Sequence, residues 1–358
     1  MNLKMQSDNN SEKTGKKLLD VLQGKKAKTP PFWLMRQAGR YLPEYLELRA
    51  EAGSFLELVY NPEFAAEVTL QPIRRFGMDA AILFSDILVI PHALGQHLEF
   101  VKGEGPKLNP LSSAEDLKIL EQDKIHEVLA PIYQTIKNIK SAFVHEHLEQ
   151  TSLIGFAGSP WTVACYMVEG SGSKDFAKTK NWAYSDPDGF DQLIDILVQA
   201  TASYLIHQIR AGAEVVKLFD SWAGILDEAL FERLVIVPTQ KIINLVKAEY
   251  PDVPVIAFAR GAGIQHLNYA RHSGANAIAI DQMTPLVWAA ENIQPILPVQ
   301  GNLDPFCLLA GGDTLDRSVK NILDILQDGP FIFNLGHGIH KATPPAHVEQ
   351  LSRIIQNY

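Results

Sequence analysis

Short, continuously apolar runs alternate along this chain with longer stretches in which apolar residues recur every three or four positions. From Pro30 onward the runs occupy residues 32–35, 80–88, 153–157, 214–220, 255–259, 277–281, 297–301 and 331–335. They are apolar throughout rather than alternating, the pattern of parallel strands buried on both faces. Between them, residues 200–211 carry Leu205 and Ile209 at helical spacing and stop at Gly212, a natural helix end. Residues 230–249 repeat Leu234, Val237, Ile242, Leu245 and Val246 on one face, with Pro238 placed to kink or split the helix. Leu315, Val319, Ile322, Leu323 and Leu326 mark a helix over 314–326, and 347–355 closes the chain. Eight strand–helix repeats predict an α/β fold, a single (β/α)8 TIM barrel. The stretch 91–150 is an insertion after the second strand, with room for a hairpin near 100–105. A doubly wound sheet would need a Gly-rich first turn that the sequence lacks.

No domain-separating linker follows Pro30, so residues 18–358 read as one domain behind a flexible polar N-terminal tail, 1–17. The cluster Leu18, Leu19, Val21, Leu22 is too short for a signal-peptide core and reads as a short docked helix. Residues 1–28 hold no Arg and include Asp8, Glu12 and Asp20, against a mitochondrial presequence. The chain of 358 residues has 32 Lys+Arg against 41 Asp+Glu, a formal net charge of −9. That field argues against nucleic acid or anionic membrane as a partner. No apolar run reaches the roughly 18 residues of a membrane span. Two cysteines, Cys165 and Cys307, fit a reducing cytoplasm and cannot build a disulfide framework.

In such barrels chemistry sits on the loops after the strands, which selects residues before any motif is consulted. The first run leads into Arg36-Gln37-Ala38-Gly39-Arg40-Tyr41 and the second holds Ser85-Asp86. The others end at Gly158-Ser159-Pro160-Trp161, Asp220-Ser221, Arg260-Gly261, Asp281, Gly301-Asn302 and Gly336-His337-Gly338. Arg36 and Arg40 flank a turn of small residues, so both guanidinium groups can bind one carboxylate or phosphate ligand; the alternative is a pair of surface ion pairs. Asp86 lies in a run so apolar that its carboxylate is either paired and buried or catalytic. His337 can cap a turn, bind a ligand or carry a proton. The histidine spacing builds no metal site, and Cys165 reads as a small buried hydrophobe. Gly170-Ser171-Gly172-Ser173 reads as a flexible loop, with no phosphate-binding P-loop anywhere.

The run from Pro31 to Arg40, PFWLMRQAGR, closely resembles the first signature of the uroporphyrinogen decarboxylase family. The run GFAGSPWT from Gly155, continued through Tyr166 to Gly170, resembles the second, and Phe84-Ser85-Asp86-Ile87-Leu88 and Asn334-Leu335-Gly336-His337-Gly338 also match. The likeness extends from about Leu18 to the C-terminus; His340-Lys341-Ala342 and the neighbours of Ser221, Asp220 and Trp222, depart most from it. It implies that Arg36, Gln37, Ala38, Gly39, Arg40, Asp86, Tyr166, Ser221 and His337 line the substrate pocket. It further implies a cytoplasmic homodimer, with no metal and no organic cofactor, converting uroporphyrinogen III into coproporphyrinogen III in haem biosynthesis. Four acetate side chains become methyl groups, and Asp86 is expected to be the catalytic residue, accepting hydrogen bonds from the pyrrole N–H groups. The rival readings are a non-catalytic tetrapyrrole carrier and a related barrel methyltransferase, whose zinc would need thiolate and imidazole ligands that two distant cysteines do not supply.

Overall fold

Seven of the eight apolar runs form one all-parallel sheet in the computed structural model, which describes residues 15–101 and 103–358. In chain order the strands are β1 (Ala80–Ile82), the hairpin strands β2 (Leu98–Val101) and β3 (Gly105–Leu108), then β4 (Ser152–Gly158), β5 (Val215–Asp220), β6 (Val255–Ala259), β7 (Ala277–Ala279), β8 (Val299–Leu303) and β9 (Phe331–Leu335). The sheet order is β1-β4-β5-β6-β7-β8-β9, so apart from the hairpin each strand pairs with the next in sequence. Register runs through Ala80 beside Ser152, Ile154 beside Val215, Val216 beside Val255, Ile256 beside Ala277, Ile278 beside Val299 and Val299 beside Phe331. Helices cover the connections; Pro187–Ala211, for example, packs on β4 and along Ile125–His145. Every residue of β4 and β6 is buried, which is why these strands carry no polar alternation.

The first apolar run does not become a ladder strand. Residues 32–35 make a single parallel bridge, Phe32 to Phe333 on β9, and Asp79 N–H donates to Phe32 O at 3.0 Å. The reason is competition from side chains. Phe32 N–H goes to Asp79 Oδ2 (3.0 Å), Leu34 N–H to Gln37 Oε1 (3.0 Å) and Met35 N–H to Asn334 Oδ1 (3.0 Å), so side chains satisfy donors that a ladder would use. The second run also shortens to Ala80–Ile82. Phe84 N–H turns to Thr69 Oγ1 at 3.0 Å, and Asp86 Oδ1 accepts from Leu88 N–H at 2.8 Å just ahead of the short helix Val89–Ala93.

The stretch 91–150 holds the expected hairpin, β2 antiparallel to β3, followed by the long helix Ile125–His145. The helix read over 230–249 is divided: Glu228–Phe231 passes through a π-helical turn, Glu232–Ile236, into Val237–Glu249. Pro238 has no N–H to bond the preceding turn, and its ring crowds the carbonyl four residues back, so the turn widens. Of the expected tail, residues 1–14 lie outside the described residues. Behind them Lys17–Leu22 is helical, and Leu18, Val21 and Leu22 are buried against the domain, each burial contributing about 1.5–3 kcal/mol before chain entropy is counted. Lys16 Nζ anchors the entrance to this helix on Glu214 (2.7 Å) and on Thr151 O (3.0 Å). No helix among the described residues is long and apolar enough to cross a membrane.

Candidate active site

Arg36 occupies the third position of a tight turn closed by Gln37 N–H to Leu34 O at 2.9 Å. Its φ is +61°, a left-handed conformation that is strained for a residue with a side chain. The strain has a geometric counterpart. The stem of Arg36 lies on Gly338, where an added Cβ would come 2.7 Å from Arg36 Cγ and 2.9 Å from Nε. Only glycine leaves room there, so the loop after β9 forms the bed on which the arginine rests.

From that bed the guanidinium acts on three other expected site residues. Burial pushes the Asp86 carboxyl up to about 6, while its bond from Leu88 N–H and the Arg36 charge pull the other way. Burial also raises the Tyr166 phenol, reinforced by the Asp86 charge and opposed by Arg36. Burial lowers His337 to about 4, and Arg36 and Arg260 push it in the same direction. The Arg36 charge therefore reaches Asp86, Tyr166 and His337, which come from three other chain segments. Asp86 is only partly accessible, within a largely apolar run of chain. His337 Nδ1 accepts from Gly338 N–H at 2.7 Å, which leaves a neutral ring with its Nε2–H as a donor.

The other expected residues divide by role. Gln37 is fully buried and turns inward, with Nε2 donating to Ala80 O (3.1 Å) and Oε1 accepting from Leu34 N–H, so it braces the start of β1. Ala38 and Gly39 are half-buried. Arg40 is exposed, and its charge acts on Tyr45, whose ring packs edge-on to Phe84 at 5.7 Å. Ser221 is half-buried after Asp220, and its hydroxyl makes no hydrogen bond to the described residues. Tyr166 lies 6.3 Å, ring to ring, from Trp222.

Two of the strand-end carboxylates and one lysine within a strand are also buried, and the lysine lies outside the positions that the barrel rule selects. Asp220, at the end of β5, is fully buried; Thr162 Oγ1 donates to its Oδ1 in a short bond and in turn accepts from Trp222 N–H at 3.1 Å. Its other oxygen has no hydrogen-bond partner among the described residues, and burial pushes the carboxyl up to about 7. Asp281 is buried and saturated: Gly261 N–H bonds Oδ2, while Met283 N–H (2.9 Å) and Thr284 Oγ1 (3.3 Å) bond Oδ1. Lys217, within β5, is fully buried with no hydrogen-bond partner among the described residues, its Nζ 4.8, 4.9 and 5.4 Å from the ring centres of Trp33, Phe219 and Phe258. Burial lowers its pKa strongly. A lone Lys inside an apolar strand was the signal available for it. Among the described residues no three His, Cys, Asp or Glu side chains converge as metal ligands.

This arrangement can hold a polyanion at an arginine while one recessed carboxylate meets an N–H or a developing positive charge. Comparison with known proteins gives the family. The family model described as Uroporphyrinogen decarboxylase (URO-D) matches residues 13–358. Among relatives, the uroporphyrinogen decarboxylase of Rhodospirillum rubrum is 51% identical over 344 residues, covering 96% of this chain and 98% of that protein. That of Rhizorhabdus wittichii is 52% identical over 334 residues, covering 93% and 95%. Among solved structures, a methyltransferase from Methanosarcina mazei superposes with a TM-score of 0.80 at 22% identity over 97% of this chain and 99% of its own. A B12-independent methionine synthase from Shewanella sp. W3-18-1 gives 0.55 at 9% identity, over 92% and 98%. These two likenesses are of fold alone. With nearly its whole length matched, the chain belongs to the uroporphyrinogen decarboxylase family.

Proposed function

We propose that this chain converts uroporphyrinogen III into coproporphyrinogen III without a cofactor, removing the carboxyl groups of four acetate side chains. The observation that carries the reading is the pairing of Asp86, recessed with one oxygen uncommitted, with Arg36 held over Gly338. The substrate is a cyclic tetrapyrrole with eight carboxylates. Arg36 and Arg40 bind these groups, each charge-assisted bond contributing about 1.5–3 kcal/mol net. His337, as a neutral N–H donor, and the hydroxyls of Tyr166 and Ser221 orient the side chains. Asp86 accepts hydrogen bonds from the pyrrole N–H groups.

Decarboxylation needs an electron sink. Protonation of a pyrrole ring carbon makes the ring cationic, and that cation receives the electron pair of the breaking C–COO⁻ bond. Because the substrate supplies the sink, the protein's part is positioning and charge stabilisation, and Asp86 stabilises the cation as it develops. A carboxyl held near 6 is ionised at neutral pH and can do this.

The proposal includes the closed (β/α)8 ring, with residues 32–35 in the eighth strand position between β9 and β1. The bridge from Phe32 to Phe333 and the bond from Asp79 N–H to Phe32 O support that reading. It also includes a cytoplasmic homodimer, on family resemblance, and a single catalytic domain over 18–358. Anaerobic incubation with uroporphyrinogen III, followed by chromatography of carboxylate number, tests the function. Four-carboxylate product is expected. Unchanged eight-carboxylate substrate would refute it.

A further inference from the structure

Each acetate that becomes a methyl consumes a proton. The C–COO⁻ bond breaks, CO2 leaves, the electron pair stays with the organic fragment and a C–H bond forms: R–CH2–COO⁻ + H⁺ gives R–CH3 + CO2. Four such steps draw four protons into a pocket that a tetrapyrrole fills. Water entering by the substrate's own path is then obstructed during the steps that need it, so a supply through the protein has a chemical use.

The residues behind Asp86 have the composition of such a supply. Tyr204, on Pro187–Ala211, is 1% exposed, and its OH lies 3.5 Å from Oγ of Ser85, the residue preceding Asp86. The Asp86 charge acts on both Tyr204 and Tyr60. Beside Tyr204, ring to ring at 6.1 Å, stands Tyr133 on Ile125–His145. The Tyr133 OH is 2.9 Å from His126 Nδ1, and His126 Nε2 is 2.8 Å from Ser203 Oγ. The His126 ring stacks on His207 at 3.6 Å, and His207 Nε2 is 3.4 Å from the exposed Arg210. His126 and His207 are both half-exposed, so this end of the chain meets solvent. A second arm joins Tyr60 OH to His92 Nδ1 at 2.9 Å, and Tyr60 lines an open surface groove with Glu57 and Glu63.

Hydroxyls and imidazoles both donate and accept, which is what stepwise proton transfer along a hydrogen-bonded chain requires. Two links in this series are proximity rather than direct hydrogen bonds, Tyr133 to Tyr204 at 6.1 Å between ring centres and Ser85 to its chain neighbour Asp86, so transfer across each requires a bridging water. We propose that Tyr204 and Ser85, fed from the surface through Tyr133 and His126, form a proton-entry route that ends at the Asp86 carboxylate. These residues act through Asp86 and touch no substrate. The inference rests on the decarboxylase reading, since it needs a reaction that takes up protons.

The test is steady-state decarboxylation of uroporphyrinogen III, measured anaerobically in H2O and in D2O, for the wild type and Tyr204→Phe, which keeps the ring and removes only the hydroxyl. The expected result is kcat lowered about tenfold with KM unchanged, a solvent isotope effect on kcat larger than that of the wild type, and partial recovery on adding imidazole. His126→Gln, close to the surface, should move the same quantities in the same direction by less. Wild-type kcat in Tyr204→Phe would overturn the route. So would a lower kcat with an unchanged isotope effect, the mark of a structural role. Should Tyr204→Phe fail to fold, Ser85→Ala and His126→Gln decide by the same criteria. A wild type that leaves uroporphyrinogen intact refutes the function itself, whereas an active wild type with indifferent variants refutes only the route.

Discussion

Asp86 follows β1 and Asp281 follows β7, and both carboxylates stand beyond the C-terminal end of a strand. Asp281 is the more buried, yet donors from Gly261, Met283 and Thr284 occupy both of its oxygens. It ties the loop after β6 to the loop after β7, where Gly261, at φ +76°, lies close against the backbone of Gly224. Among the described residues Asp86 has a single donor, Leu88 N–H to Oδ1, and its Oδ2 accepts none. Burial by itself therefore does not distinguish a catalytic carboxylate from a structural one. Free acceptor capacity beside a cation is the ground on which Asp86, and not Asp281, is proposed as the catalytic one.

The largest test of this contrast is Asp86→Asn. It should lower kcat about a thousandfold, roughly 4 kcal/mol of transition-state stabilisation, with the melting temperature equal or higher because an unfavourable buried charge is removed. Near-normal turnover by the folded variant would remove the assigned role. Asp281→Asn should do the reverse, costing about 2 kcal/mol of stability because an amide cannot accept from all three donors. Urea denaturation reads this, and an unchanged midpoint would break the comparison.

Next in size is the pH dependence. With its carboxyl held near 6, Asp86 should make kcat/KM fall about tenfold per pH unit below that value. Asp220, held near 7, titrates close by, so Asp220→Asn should keep the limb near 6 and lose any inflection near 7. For stability the sign is the opposite of a salt-bridged carboxylate. The folded state binds these protons more tightly than the unfolded chain, so Asp86 and Asp220 contribute stability at low pH that is lost as pH rises from about 4 to about 7. His337, lowered to about 4, works against them: its contribution grows as pH rises from about 4 to its unfolded value near 6.5. Thermal melts across this window should show Asp220→Asn with a smaller loss of stability as pH rises than the wild type.

The smallest expected effect is at Lys217. Its lowered pKa means the folded state binds a proton less tightly than the unfolded chain, so its contribution to stability increases as pH rises toward the unfolded value near 10.4. Lys217→Met should flatten that rise and add about 1 kcal/mol at pH 7. A variant less stable at neutral pH would show that the contacts with Trp33, Phe219 and Phe258 outweigh the cost of burial.

Much of this was legible before folding. Runs such as 153–157 and 331–335 lie within observed strands because a strand buried on both faces has no polar positions to misread. Gly212 ended its helix as expected. The runs 32–35 and 80–88 are longer than the strand structure they form. Their apolar character is genuine, but Asp79, Gln37, Asn334 and Thr69 take backbone donors from distant or off-period positions, which hydrophobic periodicity does not register. At the site, Arg36 and Asp86 could be selected by strand-end position and chemistry. The inward turn of Gln37 could not, because an amide between pocket residues looks like another pocket residue until its partners are known.

By itself the sequence determined the alternation of strand and helix, the strand order through consecutive connections, and the short motifs that carry the family's chemistry. These depend on local composition and chain order, which are written residue by residue. The tertiary structure alone decided which polar groups are satisfied and which are left free. Asp86 was set apart from Asp281, Gly338 became a bed for Arg36, and Tyr204 was brought from a remote helix to Ser85. The physical reason is that hydrogen-bond saturation and desolvation belong to a neighbourhood assembled from distant segments, and no single stretch of chain contains that neighbourhood.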